Sequence, residues 1–221
     1  MGLQILTPAS GFPLTLDAIK AYLRITWPDE DALVSQLLAF AAGFIERETT
    51  QQMLTATKRL YLDSFPRRSM AWDGRFETEW GGSGYAELHR RLPSHESREI
   101  RLATPPLQSV TSVNYLVNGT PTVLDPSLYT VDAVSKPGRI VLNQFQVWPA
   151  SDRNANAVWI DFVCGYGDAA AVPPEFGQAI LWMVAHCYEN RLPVSELKME
   201  ELPMGLRAVI ETLMFREAHG A

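Results

Sequence analysis

His186 and Glu189 stand three residues apart in a segment with helical periodicity, a spacing that sets an imidazole and a carboxylate on one helix face. Such a pair could shuttle a proton or begin a metal site. Catalytic zinc usually takes three protein ligands, and this spacing supplies two, so a polar helix edge is the plainer reading. The remaining histidines are His89, His95 and His219, of which the first two flank Arg90-Arg91 in an irregular stretch. Gly165-Tyr166-Gly167 has the look of a phosphate loop. It lacks the Gly-Lys-Ser/Thr continuation, and Pro173 delays the next helix, so it reads as a strand-to-helix turn. There is no Gly-x-Ser-x-Gly elbow. An enzyme built on His186, Glu189 and the Gly165 turn would still need a nucleophile, a base and an orienting group, and no such set is visible.

A second chemistry is suggested by Arg67, Arg68, Arg90 and Arg91, interleaved with Trp72, Phe76, Trp80 and Tyr85. Cations beside aromatic rings can hold single-stranded nucleic acid. Here Asp73, Glu77, Glu79 and Glu87 lie among them and cancel the field. The whole chain has a net charge of -6, the opposite of the excess that phosphate binding requires. Arginine and aromatic side chains are also favoured at protein interfaces. Arg67, Arg68, Trp72, Phe76, Trp80 and Tyr85 are therefore candidate partner contacts, with Met214 and Phe215 near the end of the chain. Packing of the same aromatics onto their own domain is the competing reading. A small DNA-binding or DNA-packaging accessory protein is the alternative function.

The elements that would carry these residues change character along the chain. With 221 residues, 47% hydrophobic and 20% charged, the composition is that of a globular protein able to build a core. Cys164 and Cys187 have neither metal spacing nor a disulfide framework and read as buried thiols. Met1 to Pro13 lacks the basic start and apolar run of a signal peptide. No segment approaches the roughly 20 apolar residues of a membrane helix, so synthesis in the cytoplasm is expected.

The first helix is expected over Thr15 to Leu23, capped by Thr15, and the second over Asp29 to Thr49. Leu33, Leu37, Phe40, Ala41 and Phe44 predict the buried face of the second. Strands are expected at Thr55–Phe65, Glu99–Leu102, Val110–Val117, Thr122–Leu124, Leu128–Val131, Arg139–Leu142 and Ala157–Val163, with Asn118-Gly119 as a hairpin turn. Pro173-Pro174-Glu175 starts a helix with an apolar stripe of Phe176, Ile180, Val184 and Cys187. A last helix is expected within Pro203 to Arg216. The order gives an α+β fold: N- and C-terminal helices packed as a small bundle, with an antiparallel β sandwich or barrel inserted. The expected parts are 1–52, N-terminal helical; 53–165, the β domain with an irregular insertion at 66–97; and 166–221, completing the bundle.

Four stretches, taken together, resemble a known family. They are Pro13-Leu14-Thr15-Leu16-Asp17-Ala18-Ile19-Lys20-Ala21-Tyr22-Leu23-Arg24 with Asp29-Glu30-Asp31-Ala32-Leu33; Pro105-Pro106-Leu107-Gln108-Ser109-Val110-Thr111-Ser112-Val113 running into Tyr115; Gly165-Tyr166-Gly167 with Val172-Pro173-Pro174-Glu175; and Ala179-Ile180-Leu181 with Ala185-His186-Cys187-Tyr188-Glu189-Asn190-Arg191. Their order and spacing are similar to the head–tail connector (adaptor) proteins of tailed phages and the equivalent adaptors of phage-like gene transfer agents. The resemblance implies a homo-oligomeric ring, a dodecamer, docked under the portal protein, with no catalysis, no cofactor and no metal. Such a ring extends the DNA channel, passes DNA without specific binding, and offers a platform to the next tail or stopper component. It would reside in the neck of the assembled particle after synthesis in the host bacterial cytoplasm. In the family the strand ending near Phe65-Pro66 passes quickly to the Pro-Pro-Leu-x-Ser-Val region. Here residues 66–97 intervene, and they are expected to meet a neighbouring subunit, the portal or the tail.

Overall fold

The computed structural model describes residues 2–66, 98–152, 154–190 and 204–214. The chain opens on a strand, β1 (Gly2–Thr7), followed by helices α1 (Leu16–Leu23) and α2 (Asp31–Thr49). Thr15 caps α1 by accepting a hydrogen bond from the Ala18 amide, and Arg24 ends it in the left-handed region. Lys20 on α1 pairs with Asp31 at the start of α2, closing the helical hairpin.

Seven strands follow: β2 (Ala56–Leu62), β3 (Glu99–Arg101), β4 (Leu107–Val117), β5 (Thr120–Val123), β6 (Tyr129–Asp132), β7 (Arg139–Leu142) and β8 (Val158–Cys164). The chain closes with α3 (Pro174–Glu189) and α4 (Met204–Leu213). After β1 the order is helices, strands, helices, as the sequence predicts. β1 was not foreseen, and β4 begins three residues before the predicted Val110.

The strands form two antiparallel sheets, one ordered β1-β2-β8-β4-β5 and one ordered β3-β7-β6. Among the described residues neither sheet closes on itself, so the barrel alternative is set aside: β1 and β5 remain the two edges of the larger sheet. One apolar cluster draws on both sheets, with Leu60 from β2, Val113 from β4 and Ile160 and Phe162 from β8 meeting Ile100 and Ile140 from β3 and β7. β2 buries Ala56, Lys58 and Leu60, which decides between two faces that look equally apolar in the sequence. Arg59 faces the other way and forms a two-pronged ion pair with Asp161 of β8.

A second cluster gathers the helices from both ends of the chain: Ile19 of α1, Val34, Leu38 and Ile45 of α2, Phe176 and Ile180 of α3, and Leu206 and Ile210 of α4. Its α2 face corrects part of the expectation: Ala41 is buried as predicted, and Leu37 and Phe44 pack half-buried against the cluster. Val34, Leu38, Ala41, Ala42 and Ile45 are buried, and Phe40 is exposed. The predicted stripe of Leu33, Leu37, Phe40, Ala41 and Phe44 and the stripe of Val34, Leu38, Ala41 and Ile45 are adjacent and share Ala41, and the packing of α3 and α4 centres the core on the second.

Candidate functional site

Among the described residues, those nominated for chemistry form no catalytic group. His186 lies near the end of α3, where its Nδ1 is 3.4 Å from the side-chain amide of Asn190, and that amide donates to the His186 carbonyl. Glu189 is exposed on the last turn. Among the described residues no three His, Cys, Asp or Glu side chains group as metal ligands. Cys164 is buried and gives its thiol to the Ala56 carbonyl; burial pushes its pKa up to about 11, which removes it as a nucleophile near neutral pH. Burial also raises the Cys187 thiol.

Among the described residues, several charged groups are occupied in holding the fold. Hydrogen bonds from the Ser135 hydroxyl and amide and from Arg139 hold Asp132 far below the usual carboxylate range. Arg139 also reaches Glu99, so three strands of the smaller sheet are pinned at one point.

The Gly165 turn has a different task from a phosphate loop. Its residues join the helices to the larger sheet. The Gly165 amide donates to the Pro106 carbonyl at 2.9 Å, and the Tyr166 amide to the Met53 carbonyl at 3.0 Å. Thr55 donates to the Gly167 carbonyl at 3.1 Å, and Gln108 Nε2 to the Gly165 carbonyl at 2.8 Å. From the helical side, Tyr166 donates its hydroxyl to Gln51 Oε1, and Gln51 Nε2 donates in turn to the Leu213 carbonyl at the end of α4. Two stretches that carry the family resemblance, Pro105–Gln108 and Gly165–Gly167, thus meet at one joint. Two others meet as well: Tyr188 of α3 donates its hydroxyl to Glu30 at the start of α2. These segments mark a way of folding rather than a catalytic centre.

Glu46 belongs to the same joint. Its Oε1 accepts from Gln52 Nε2 at 2.6 Å and from the Met53 amide at 2.9 Å. Burial raises its pKa, and the Met53 bond and the charge of Lys58 offset part of that rise. A carboxyl raised in this way favours folding most fully below its unfolded pKa, about 4.3, and loses that contribution as pH rises through the folded value. Glu46→Gln keeps an acceptor for both bonds and removes the buried charge. It is expected to melt at or above the unsubstituted protein at pH 7, with the margin closing as pH falls towards 4 in thermal unfolding.

What the surface does offer is apolar. Leu3, Ile5 and Leu6 of β1, Phe12 and Phe40 are exposed, and Ile5 and Phe12 line a groove. Its lining includes Ile5 and Phe12, Ala39, Ala42 and Gly43 of α2, and Glu46 and Met53. Away from it, Val134, Phe145 and Val147 are 94%, 90% and 79% exposed. Of the contacts predicted from sequence, Met214 is exposed just beyond α4. Arg67, Arg68, Trp72, Phe76, Trp80, Tyr85 and Phe215 lie outside the described residues, as does most of 66–97. Sequence reasoning passed over the β1 residues because a short apolar run with no alternation gives no sign that both its faces stay open.

No protein-family model matches the chain, and no curated protein does. Solved structures do share its fold. A chain in the neck of an empty GTA particle, computed with C6 symmetry, matches with a TM-score of 0.71 and 22% identity, covering 100% of this chain and 99% of that one. A chain in the virion of a native gene transfer agent (GTA) particle matches with a TM-score of 0.71 and 20% identity at the same coverage. A chain in the neck of a native GTA particle, computed with C12 symmetry, matches with a TM-score of 0.66 and 21% identity, again over 100% of this chain and 99% of that one. End to end, this chain has the fold of chains found in GTA particle necks.

Proposed function

We propose that the chain is a structural subunit of a head–tail connector (adaptor) ring, docked under a portal protein and carrying the next tail or stopper component. The observation that carries this reading is the likeness to neck chains over the full length of both partners. Two further features support it. The four stretches that resemble connector proteins meet in pairs in the folded chain, at the joint and at the α2–α3 contact. The charge of -6 suits a channel wall along which DNA slides without adhering.

In this reading the helices from the two ends of the chain form a small bundle, and the two sheets form a sandwich inserted within it. The proposed parts are 1–52, 53–165 and 166–221, with β1 of the first part lending an edge strand to the larger sheet. The subunit has no catalytic role and takes no cofactor, and DNA passes through the ring without specific recognition.

Removing the chain from a producing cell tests this directly. Filled heads and completed tails are expected to accumulate unjoined when lysates are viewed by negative-stain microscopy. Joined particles at normal yield would overturn the reading. An accessory protein that holds DNA would instead show binding at low salt that weakens steeply as salt rises.

A further inference from the structure

A ring built from identical subunits requires each copy to offer two different surfaces that fit each other, because a head-to-tail contact is never self-matching. The chain carries two surfaces suited to that role. The first is the apolar groove between β1 and α2. Gly43 lines it from the middle of α2, where glycine weakens a helix relative to alanine. Among the described residues nothing requires a glycine there: a Cβ at Gly43 would meet no atom within 4 Å. The space above it is open.

The second surface is Phe145. It sits in a tight turn closed by the Gln146 amide on the Asn143 carbonyl, with φ at +64°, a conformation that bulky residues avoid and glycine adopts freely. Phe145 is 90% exposed, so no core packing compensates for the strained backbone. Strain of this kind persists where a function needs it. The turn is held rigidly. The Asn143 amide and side chain donate to the carbonyls of Leu128 and Ser127, and Arg98 donates to the carbonyls of Leu142 and Asn143 beneath it.

The two surfaces belong to different parts of the fold, as a head-to-tail contact requires. The groove flanks β1, one edge of the five-stranded sheet, while the Phe145 turn is tied to the turn that leaves β5, the other edge. Their charges are opposite in sign: the Arg98 guanidinium underlies the turn, and the ionisable group in the groove lining is the Glu46 carboxyl.

We propose that Phe145, with Val147 beside it, inserts into the β1–α2 groove of the neighbouring copy and is the main apolar contact between adjacent subunits. The proposal rests on the ring reading above and names the residues that close the ring.

The test uses particles from the producing cell. In a Cys187→Ser background, Gly43→Cys and Phe145→Cys are introduced together and singly, and the particles are treated with a mild oxidant. The double variant is expected to give a ladder of disulfide-linked copies on non-reducing gels, while each single variant stays monomeric. In parallel, Gly43→Leu and Phe145→Gly are expected to melt no lower than the unsubstituted chain and to enter particles at least tenfold less well. Dimers from Gly43→Cys alone would show a groove-to-groove contact and overturn the proposal. Absence of any ladder, with the chain still present at the neck, would overturn it and leave the ring reading intact. Absence of the unsubstituted chain from particles would overturn the ring reading itself, and this proposal with it.

Discussion

Phe162→Ala is expected to lower the stability of the subunit by about 4 kcal/mol, the typical loss when a buried phenylalanine is truncated and its cavity stays partly open. Phe162 is fully buried on β8, the middle strand of the five-stranded sheet. It pairs with Lys58 of β2 on one side and Val110 of β4 on the other, and it belongs to the cluster shared with the smaller sheet. The hole therefore opens where both sheets depend on the same side chain, and neighbouring strands held by ladder bonds on each side can collapse only slightly. In a protein of this size the change corresponds to a fall of about 8–16 °C in Tm. Thermal unfolding followed by circular dichroism measures it. A loss under about 1 kcal/mol would mean that the site repacks freely and that the shared core is looser than described here.

Gly165→Ala is expected to be nearly as damaging, for a different reason. Gly165 has φ at +115°, and a Cβ there would lie 2.4 Å from the Leu54 carbonyl oxygen, 2.6 Å from its carbon and 2.9 Å from the Thr55 amide nitrogen. All three are backbone atoms that cannot rotate away. The added methyl must displace the 53–55 segment and with it the bonds that join helices to sheet. Strain of this type, together with the lost joint, is expected to cost about 3 kcal/mol. Gly167 serves as the control. Its φ is +119°, but a Cβ there would meet only the Ala171 methyl at 3.6 Å, so Gly167→Ala carries the backbone strain without the collision. The Gly165 variant should melt well below the Gly167 variant, and equal melting would remove the steric account of the joint.

The helices were legible because their ends announce themselves. Thr15 caps α1, and Pro174 opens α3. The buried face of α2 was legible only in part, since two adjacent apolar stripes share Ala41 and only the packing of α3 and α4 centres the core on one of them. The strands of the sheets were visible through β-branched runs and the Asn118-Gly119 turn, yet β1 escaped. Its place depends on pairing with β2, more than fifty residues away, and not on a local pattern. The joint was half legible. Pro105–Gln108 and Gly165–Gly167 stood out as stretches of a resemblance, but their contact is made by backbone amides and by Gln51, Gln108 and Tyr166, residue types with no signature of their own. Phe145 could not have been found from sequence, because turn chemistry points to glycine or asparagine at a positive φ and a phenylalanine there gives no local signal.

The central claim is that this chain is part of a neck, and its position in an assembled particle tests that most directly. A cryo-electron reconstruction of particles from the producing cell should show this fold repeated around one vertex, as a single ring between portal and tail. A neck whose density fits no copy of this chain, with the protein recovered only free of particles, would contradict it.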